Sequence, residues 1–235
     1  MTLATRLHEL STQYGLTAPA STRLREFLDL LACDPLAPSS VTAADSAVDV
    51  HVADSLSALV IPGLRRARHV VDIGSGAGLP GLVLAIALPH AHVTLLESSR
   101  RKCQFIARAI DATAAHNAEV VCARAELWPS GAAVHDVVTA RALAPLAVLC
   151  EYASPLLARA GLLIAWKGTT GDRERQEGDR AARQLGLGPA DVVRVEPYPG
   201  SAAHHLHMYS KIADTPSRFP RRVGVARKQP LGGAG

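Results

Sequence analysis

Residues 69–97 decide the fold, and they read HVVDIGSGAGLPGLVLAIALPHAHVTLLE. The apolar, β-branched run His69–Ile73 predicts a buried strand, and the alternating glycines after it let the backbone turn tightly and approach a ligand. Pro80 opens an apolar helix that Pro89 ends, and a second strand, His92–Glu97, finishes on an acid. This unit suits a nucleoside ligand, because helix N–H groups face an anionic group and the carboxylate can bind ribose hydroxyls.

Two ligands compete for the glycine loop. Gly76–Gly81 fits the GxGxxG fingerprint of dinucleotide-binding proteins, which has low specificity on its own. The frame Asp72-x-Gly74-x-Gly76-x-Gly78 resembles the first motif of S-adenosylmethionine (SAM) methyltransferases, in which the acid lies near the ammonium group of the methionine part. Asp72 would repel a pyrophosphate but attract a cation, so we expect SAM, bound by these four residues. A glycine-rich turn without a ligand is the remaining interpretation.

Composition places the chain among globular proteins. Of 235 residues, 48% are hydrophobic but only 4% are aromatic, so aliphatic side chains must fill the core. The longest apolar run is too short to span a bilayer, and charged residues interrupt the N-terminal apolar stretch where a signal peptide would lie. Four cysteines without CxxC spacing indicate buried thiols in a reducing compartment. We therefore expect a cytoplasmic monomer with no membrane contact and no metal.

The positive charge is concentrated in the last 21 residues. The chain has 25 basic and 21 acidic side chains, and five basic but no acidic ones follow Asp214. This tail is also rich in Pro and Gly, so we expect it to bury little of itself and to contact polyanions. Its candidate RNA-binding residues are Arg218, Arg221, Arg222, Arg227 and Lys228.

Strand and helix patterns alternate beyond Glu97. The predicted strands are 118–123, 135–140, 161–166, 191–195 and 205–212, and the predicted helices are 99–113, about 145–157 and 172–185. The last two strands are joined by a loop too short for a helical crossover, so they pair antiparallel. The prediction is an α/β, Rossmann-like fold: a seven-stranded, mostly parallel sheet with helices on both faces. Ligands bind beyond the carboxyl ends of such strands, where five charged candidates fall: Asp72, Glu97, Glu126, Arg141 and Lys167.

Residues 1–62 are predicted to form a helical extension, 63–214 the sheet domain and 215–235 the basic tail. Within the extension, Gly15 is placed to end a first helix and Ser21 to cap a second. A third helix is expected over 45–59, with His51 and Ser55 on one face and Asp54 beside it. These three polar residues are either an exposed face or a lining of the cofactor pocket.

The segment after the fourth strand narrows the choice of methyl acceptor. It reads Ala140-Arg141-Ala142-Leu143 and lacks the Asn/Asp-Pro-Pro-aromatic clamp of enzymes that methylate exocyclic amines. Cys150 lies within a helix without an activating neighbour, unlike a cytosine-C5 nucleophile. Guanine N7 needs neither device, because its lone pair bears no proton and alignment alone can supply catalysis. Arg141 and Lys167 would then position phosphates or base edges.

Two alternatives stay open. In a ribose 2′-O methyltransferase, Lys167 would have to activate a hydroxyl group. The chain could also be a non-catalytic RNA-binding assembly factor that keeps a vestigial SAM pocket.

From about His51 to the C-terminus the chain resembles the ribosomal RNA small subunit methyltransferase G family (RsmG, or GidB). This family has the class I SAM-dependent methyltransferase fold and methylates N7 of one guanine in the 530 loop of bacterial 16S rRNA. The resemblance rests on ordered marks: HVADSL at 51–56, DIGSGAGLPG at 72–81, TLLES at 94–98 with Lys102, RAE at 124–126, RAL at 141–143, Lys167-Gly168, and FPRR at 219–222 through KQPL at 228–231.

The resemblance also implies roles for individual residues. It implies that SAM contacts Gly74, Leu79, Ala125, Glu126 and Arg141, that Glu97 binds its ribose, and that S-adenosylhomocysteine is the product. It implies that RNA faces Arg141, Lys167, Arg221, Arg222 and Lys228. The chain departs from the family at His204-His205, where an arginine is frequent, and at Val225-Ala226-Arg227, where a proline is usual. Both departures lie on the expected RNA face.

Overall fold

The computed structural model describes residues 2–39 and 43–233; the other residues of the predicted extension and tail lie outside that description. Within it, the strands are β1 (His69–Ile73), β2 (His92–Glu97), β3 (Ala118–Cys122), β4 (His135–Arg141), β5 (Leu157–Lys167), β6 (Asp191–Val195) and β7 (His204–Ser210). They form one sheet in the order β3-β2-β1-β4-β5-β7-β6. β1 to β5 pair in parallel, while β7 is antiparallel to β5 and β6. The predicted sheet is confirmed.

Helices cover both faces of the sheet. They are α1 (Leu3–Tyr14), α2 (Ala20–Cys33), α3 (Ala44–Ala47), α4 (Asp54–Leu56), α5 (Pro62–Arg66), α6 (Gly81–Ala87), α7 (Arg100–Ala112), α8 (Leu146–Ala153), α9 (Asp172–Gln184) and α10 (Val225–Lys228). One apolar core joins the N-terminal helices to α6, α7 and the sheet, and the other joins α8, α9 and the tail to the opposite face. Since both faces of β1 are covered, its apolar residues are fully buried, as in other parallel sheets.

Two predicted boundaries are wrong. The helix after β4 ends at Ala153 rather than near Leu157, which already belongs to β5. Pro155 has no N–H to continue the helical bonds, so the chain turns there. Ser21 does not cap α2, because the helix begins at Ala20 with Pro19 in the cap position. The Ser21 hydroxyl lies 2.6 Å from that of Ser11 and ties α2 to α1.

The segment before α5 is not the regular helix that its pattern predicts. After α3, Val48–Ala53 is π-helical, α4 follows, and Ser57–Val60 is a 3₁₀ turn. Widened π turns are rare and frequently lie at functional sites. The two residues predicted to share a face, His51 and Ser55, have different surroundings here. Ser55 is fully buried and donates a hydrogen bond to the His51 carbonyl, whereas the side chains of His51 and Asp54 line cavities.

The middle of the tail packs against the sheet domain, so the expectation that it buries little of itself is wrong. Phe219 and Ala226 are buried in the core beside α8. The Arg221 guanidinium donates to both carboxylate oxygens of Glu151, which is 1% exposed. These apolar contacts and this ion pair fix the tail in place, although its composition alone suggested a solvated segment.

Within the described residues, no helix is long and apolar enough to cross a membrane. The same residues contain no group of three or more His, Cys, Asp or Glu side chains that could hold a metal ion.

The Asn117 side chain fixes the end of α6. Its Nδ2 lies 3.0 Å from the Ala85 carbonyl oxygen, 3.2 Å from that of Leu88 and 2.8 Å from that of Ala91. The Ala85 carbonyl belongs to the last turn of α6 and lacks a helical donor because residue 89 is a proline, whereas the Leu88 carbonyl also accepts from the Ala91 N–H. The amide therefore takes the place of a cap for Ala85.

We expect Asn117→Ala to lower the free energy of unfolding by about 1–3 kcal/mol, because it leaves the Ala85 carbonyl without its donor. Urea unfolding followed by circular dichroism measures the change. The neighbouring exposed His116 is the matched control, and His116→Ala should shift stability by less than about 0.5 kcal/mol. Equal effects of the two substitutions would contradict the capping role.

Candidate functional site

The glycine loop between β1 and α6 takes a conformation that side chains disfavour. Gly74, Gly76 and Gly78 have φ angles of 72°, 60° and 87°, in the left-handed region that glycine adopts readily. A Cβ on Gly74 would also lie 2.6 Å from Cδ1 of Leu143. The alternating glycines of the sequence therefore serve both the turn and a close approach from the strand-4 loop.

Asp72 lies beneath this loop. Its side chain is fully buried, Oδ1 accepts a hydrogen bond from Thr139 Oγ1 (2.9 Å), and Oδ2 accepts one from the Gly81 backbone N–H (3.1 Å). Burial raises the pKa of this carboxyl, and the hydrogen bonds oppose that shift. The structure thus places Asp72 as a tie between β1, β4 and α6. It does not bring the side chain into the cleft, where the predicted contact with a cationic ligand would require it.

Glu97, at the end of β2, faces the same loop. Its Oε1 accepts hydrogen bonds from the backbone N–H groups of Ser98 and Ser99 (both 2.8 Å), and Oε2 accepts one from Gly76 (3.1 Å). An ionised carboxylate oxygen can accept two hydrogen bonds. Oε2 therefore keeps acceptor capacity at the cavity that Glu97 lines.

A continuous cleft runs along the carboxyl ends of β1 to β4, and we call it the glycine-loop cleft. Its first part, of about 260 Å³, lies by β3 and includes Ala125, Glu126 and Tyr152. Its second part, of about 480 Å³, lies over the loop and includes Glu97 and Arg141. Both parts are lined by Gly74, Ser98, Leu143 and Arg227. Of the predicted cofactor residues, the cleft brings together Gly74, Gly76, Leu79, Glu97, Ala125, Glu126 and Arg141.

A second cavity adjoins the cleft at Arg141. This pocket, of about 390 Å³, is lined by Val50, His51, Asp54, Arg141, Ala142, Trp166, Lys167, Gly168 and His204, and we call it the Lys167 pocket. His51, Arg141 and Ala142 line both cavities. The pocket lies beyond the ends of β4 and β5, so it sits beside the cleft at the same edge of the sheet.

Asp54 joins three distant parts of the chain at this pocket. Its Oδ2 accepts a hydrogen bond from Arg141 Nη1 (2.8 Å), and its Oδ1 lies 2.7 Å from His204 Nδ1. The Trp166 indole N–H donates to its backbone carbonyl. Only 6% of the Asp54 side chain is exposed, so both contacts lie in a region of weak solvent screening.

Lys167, the other predicted positioning residue, is held at the rim. Its ammonium group lies 2.7 Å from Glu174 Oε1 and 3.4 Å from the Ala144 carbonyl oxygen. Glu174 also accepts a hydrogen bond from the Leu146 backbone N–H at the start of α8. Lys167 thus faces the pocket with a fixed carboxylate partner.

The predicted RNA-binding residues of the tail fall into two groups. Arg218, Arg222 and Lys228 are exposed, and the Arg218 guanidinium lies 4.9 Å from the Phe219 ring centre. Arg221 is engaged by Glu151, and Arg227 lines the glycine-loop cleft.

Several lining residues escaped the sequence analysis. Leu143 and Tyr152 come from the loop and helix after β4, and His204 comes from the last strand. Burial, followed by the charge of Glu126, raises the pKa of the Tyr152 phenol. No local spacing points to these three side chains, because they reach the cavities only through the pairing of distant strands.

The strand order and the cleft define the class I fold of SAM-dependent methyltransferases. The fold is similar to a precorrin-6y C5,15-methyltransferase from Geobacter metallireducens (16% identity, TM-score 0.51, covering 66% of this chain and 86% of that one). It is also similar to a variant of the 16S rRNA (adenine(1408)-N(1))-methyltransferase from Catenulisporales acidiphilia (19% identity, TM-score 0.53, covering 68% and 90%). At these identities the similarity concerns the fold alone.

The chain belongs to the GidB family, described as rRNA small subunit methyltransferase G, whose model matches residues 22–198. It is 41% identical over 191 residues to the ribosomal RNA small subunit methyltransferase G of Rubrobacter xylanophilus, covering 79% of this chain and 73% of that protein. It is 39% identical to the protein of the same name from Roseiflexus castenholzii, covering 82% and 83%. The resemblance found in the sequence is confirmed.

We expect Asp54→Asn to lower the free energy of unfolding by about 3 kcal/mol, because the Arg141 charge would lose its buried partner. Chemical unfolding at neutral pH measures this change. Asp29→Asn is the matched control: Asp29 pairs with Arg25 at 3.6 Å on the surface of α2, and its loss should cost less than about 0.5 kcal/mol. An Asp54 variant as stable as the control would show that the bridge contributes nothing.

Proposed function

We propose that this chain transfers the methyl group of SAM to N7 of a specific guanine in the 530 loop of bacterial 16S rRNA and releases S-adenosylhomocysteine. The observation that carries the proposal is the junction of two cavities at Arg141. One is a nucleoside-sized cleft over a glycine loop, and the other opens beside it at the end of β4. Family membership supports the same activity.

The residues of the glycine-loop cleft fit SAM. Glu97 Oε2 can accept a hydrogen bond from a ribose hydroxyl, and Glu126 lies where it can receive the exocyclic amine of adenine. Gly74 lines both parts of the cleft, and its missing side chain makes room for Leu143. When bound, SAM supplies a methyl group activated on a sulfonium centre. The protein's part is to orient the donor, and Asp72 contributes by holding the loop from below.

The Lys167 pocket suits an acceptor that needs no general base. Asp54 is engaged by Arg141 and His204, Lys167 is paired with Glu174, and His51 Nε2 lies 2.9 Å from Ser39 Oγ. Guanine N7 carries no proton, so the site has only to hold the base with N7 facing the cleft. Alignment of that kind is worth several kcal/mol of the barrier.

The Asp54–Arg141 pair also suits the charge that the reaction moves. Methylation at N7 transfers a positive charge onto the purine ring. An unpaired guanidinium beside that ring would oppose the transfer, whereas Arg141 is neutralised by Asp54 at 2.8 Å. The remaining N–H groups of Arg141 can still hold the O6 edge or a phosphate. We therefore assign Arg141 and Lys167 to substrate positioning.

RNA is expected to approach across Arg218, Arg222, Arg227 and Lys228, with Arg141 and Lys167 at the target base. Arg221 contributes by fixing the tail to Glu151. We further infer a monomer that works in the cytoplasm on the small ribosomal subunit or its RNA. We also infer three units: a helical extension (1–62), a SAM-binding domain (63–214) and a basic tail (215–235).

The proposal is tested by mapping N7-methylguanosine in 16S rRNA from cells with and without this protein, using borohydride–aniline cleavage and primer extension. We expect one cleavage in the 530 loop that vanishes with the gene and returns when purified protein and SAM are added to the undermethylated RNA. A methyl group transferred to a ribose or an exocyclic amine instead would contradict the assignment. Unmodified RNA in both strains would favour the assembly-factor alternative.

Gly74→Asp should weaken SAM binding by at least about 100-fold, because the left-handed backbone and Leu143 leave no room for the side chain. Isothermal calorimetry measures the affinity. The matched control is Gly63→Ala in α5, whose Cβ would meet only Leu162 at 3.5 Å, and it should bind SAM within about twofold of the parent. Unchanged SAM affinity in a folded Gly74→Asp protein would show that SAM does not bind in this cleft.

The single-turnover methylation rate should stay flat between about pH 7 and about pH 9, because N7 attack requires no deprotonation. Quench-flow with labelled SAM and a saturating RNA substrate gives this rate. A rate that rises as a lysine loses its proton would instead favour the ribose 2′-O alternative, provided that this pH-dependent rise is absent in Lys167→Met.

A further inference from the structure

The C-terminal tail reaches back over the glycine-loop cleft. The Gly224 backbone N–H donates to Glu126 Oε1 (3.2 Å), and α10 begins at the next residue. Arg227, on α10, donates from Nη2 to the Leu143 carbonyl oxygen (3.1 Å). Arg227 also lines both parts of the cleft. The tail therefore touches the two loops, after β3 and after β4, that border the adenine end.

A buried ion pair holds the tail in this position. The Arg221 Nε donates to Glu151 Oε1 (2.8 Å), and its Nη2 contacts both Glu151 Oε2 and the Gln229 carbonyl. Such two-point pairs fix orientation as well as position. The pair raises the pKa of the Arg221 guanidinium, in keeping with a stabilised charge. Phe219 and Ala226, on either side, are buried.

We propose that the tail is part of the donor site: Arg227 forms its outer wall and binds the adenosyl part of SAM, and the Gly224 backbone N–H holds Glu126 in place. This inference rests on the proposed function, since it assumes that SAM occupies the cleft. The contact from Gly224 orients the Glu126 carboxylate and leaves Oε2 to accept the adenine amine. Arg227 can donate from its remaining N–H groups toward the ligand while Nη2 keeps hold of Leu143.

The same segment presents a different face to solvent. Arg222 and Lys228 are exposed and flank the residues that face the cleft. One short segment thus offers cations to an RNA backbone on one side and closes the donor site on the other. Arg221 forms the ion pair and Arg227 faces the cleft, whereas Arg222 and Lys228 line neither part of the cleft.

The test is SAM affinity measured by calorimetry on the full chain and on Arg227→Ala, Arg221→Ala and Arg222→Ala. We expect the first two variants to bind SAM at least about tenfold more weakly than the parent. Arg222→Ala should bind SAM within about twofold of the parent and RNA more weakly, with a shallower salt dependence. Because the Arg227 side chain is exposed, that variant should keep the parental circular dichroism spectrum, and it decides the outcome if Arg221→Ala unfolds.

The outcomes separate this inference from the function on which it rests. If the parent binds SAM and a folded Arg227→Ala protein binds it equally well, the tail is not part of the donor site. If Arg222→Ala loses as much SAM affinity as Arg227→Ala, the effect is a general loss of positive charge, and the inference also fails. If the parent itself does not bind SAM, the proposed function fails first.

Discussion

The buried carboxylate of Asp72 is the contact on which the rest of the site depends. It accepts hydrogen bonds from Thr139 on β4 and from the first residue of α6, so one side chain fixes two strands and a helix around the glycine loop. Burying a carboxyl group is costly, and the donor that each oxygen has here offsets part of that cost. The loop above can then hold three left-handed glycines in place along the cleft.

Asp54 has the corresponding place on the acceptor side. It links the N-terminal extension to β4 through Arg141 and to β7 through His204. This bridge fixes the extension against the sheet, where His51 in the widened helical segment and Asp54 at the start of α4 line the Lys167 pocket. The glycine-loop cleft and the Lys167 pocket are thus organised by two carboxylates, one below the loop and one beside the pocket.

The sequence predicts the sheet well because strands and glycine turns are local patterns. His69–Ile73 and His92–Glu97 have the predicted bounds, and the short connection between β6 and β7 correctly implies the antiparallel pair. The sequence does not predict contacts between side chains that lie far apart along the chain. Asp54 meets Arg141 across 87 residues of chain and His204 across 150, and no local spacing encodes either contact. In the same way, composition suggested a solvated tail, whereas its pairing with Glu151 depends on a helix 70 residues earlier.

The central claim is that the glycine-loop cleft binds SAM with its methyl group directed toward the Lys167 pocket. A crystal structure with S-adenosylhomocysteine tests it most directly. We expect adenine beside Glu126, the ribose on Glu97 and the sulfur on the side of the cleft nearest Arg141. An empty cleft under saturating ligand, or a ligand whose sulfur points away from Arg141, would contradict the account.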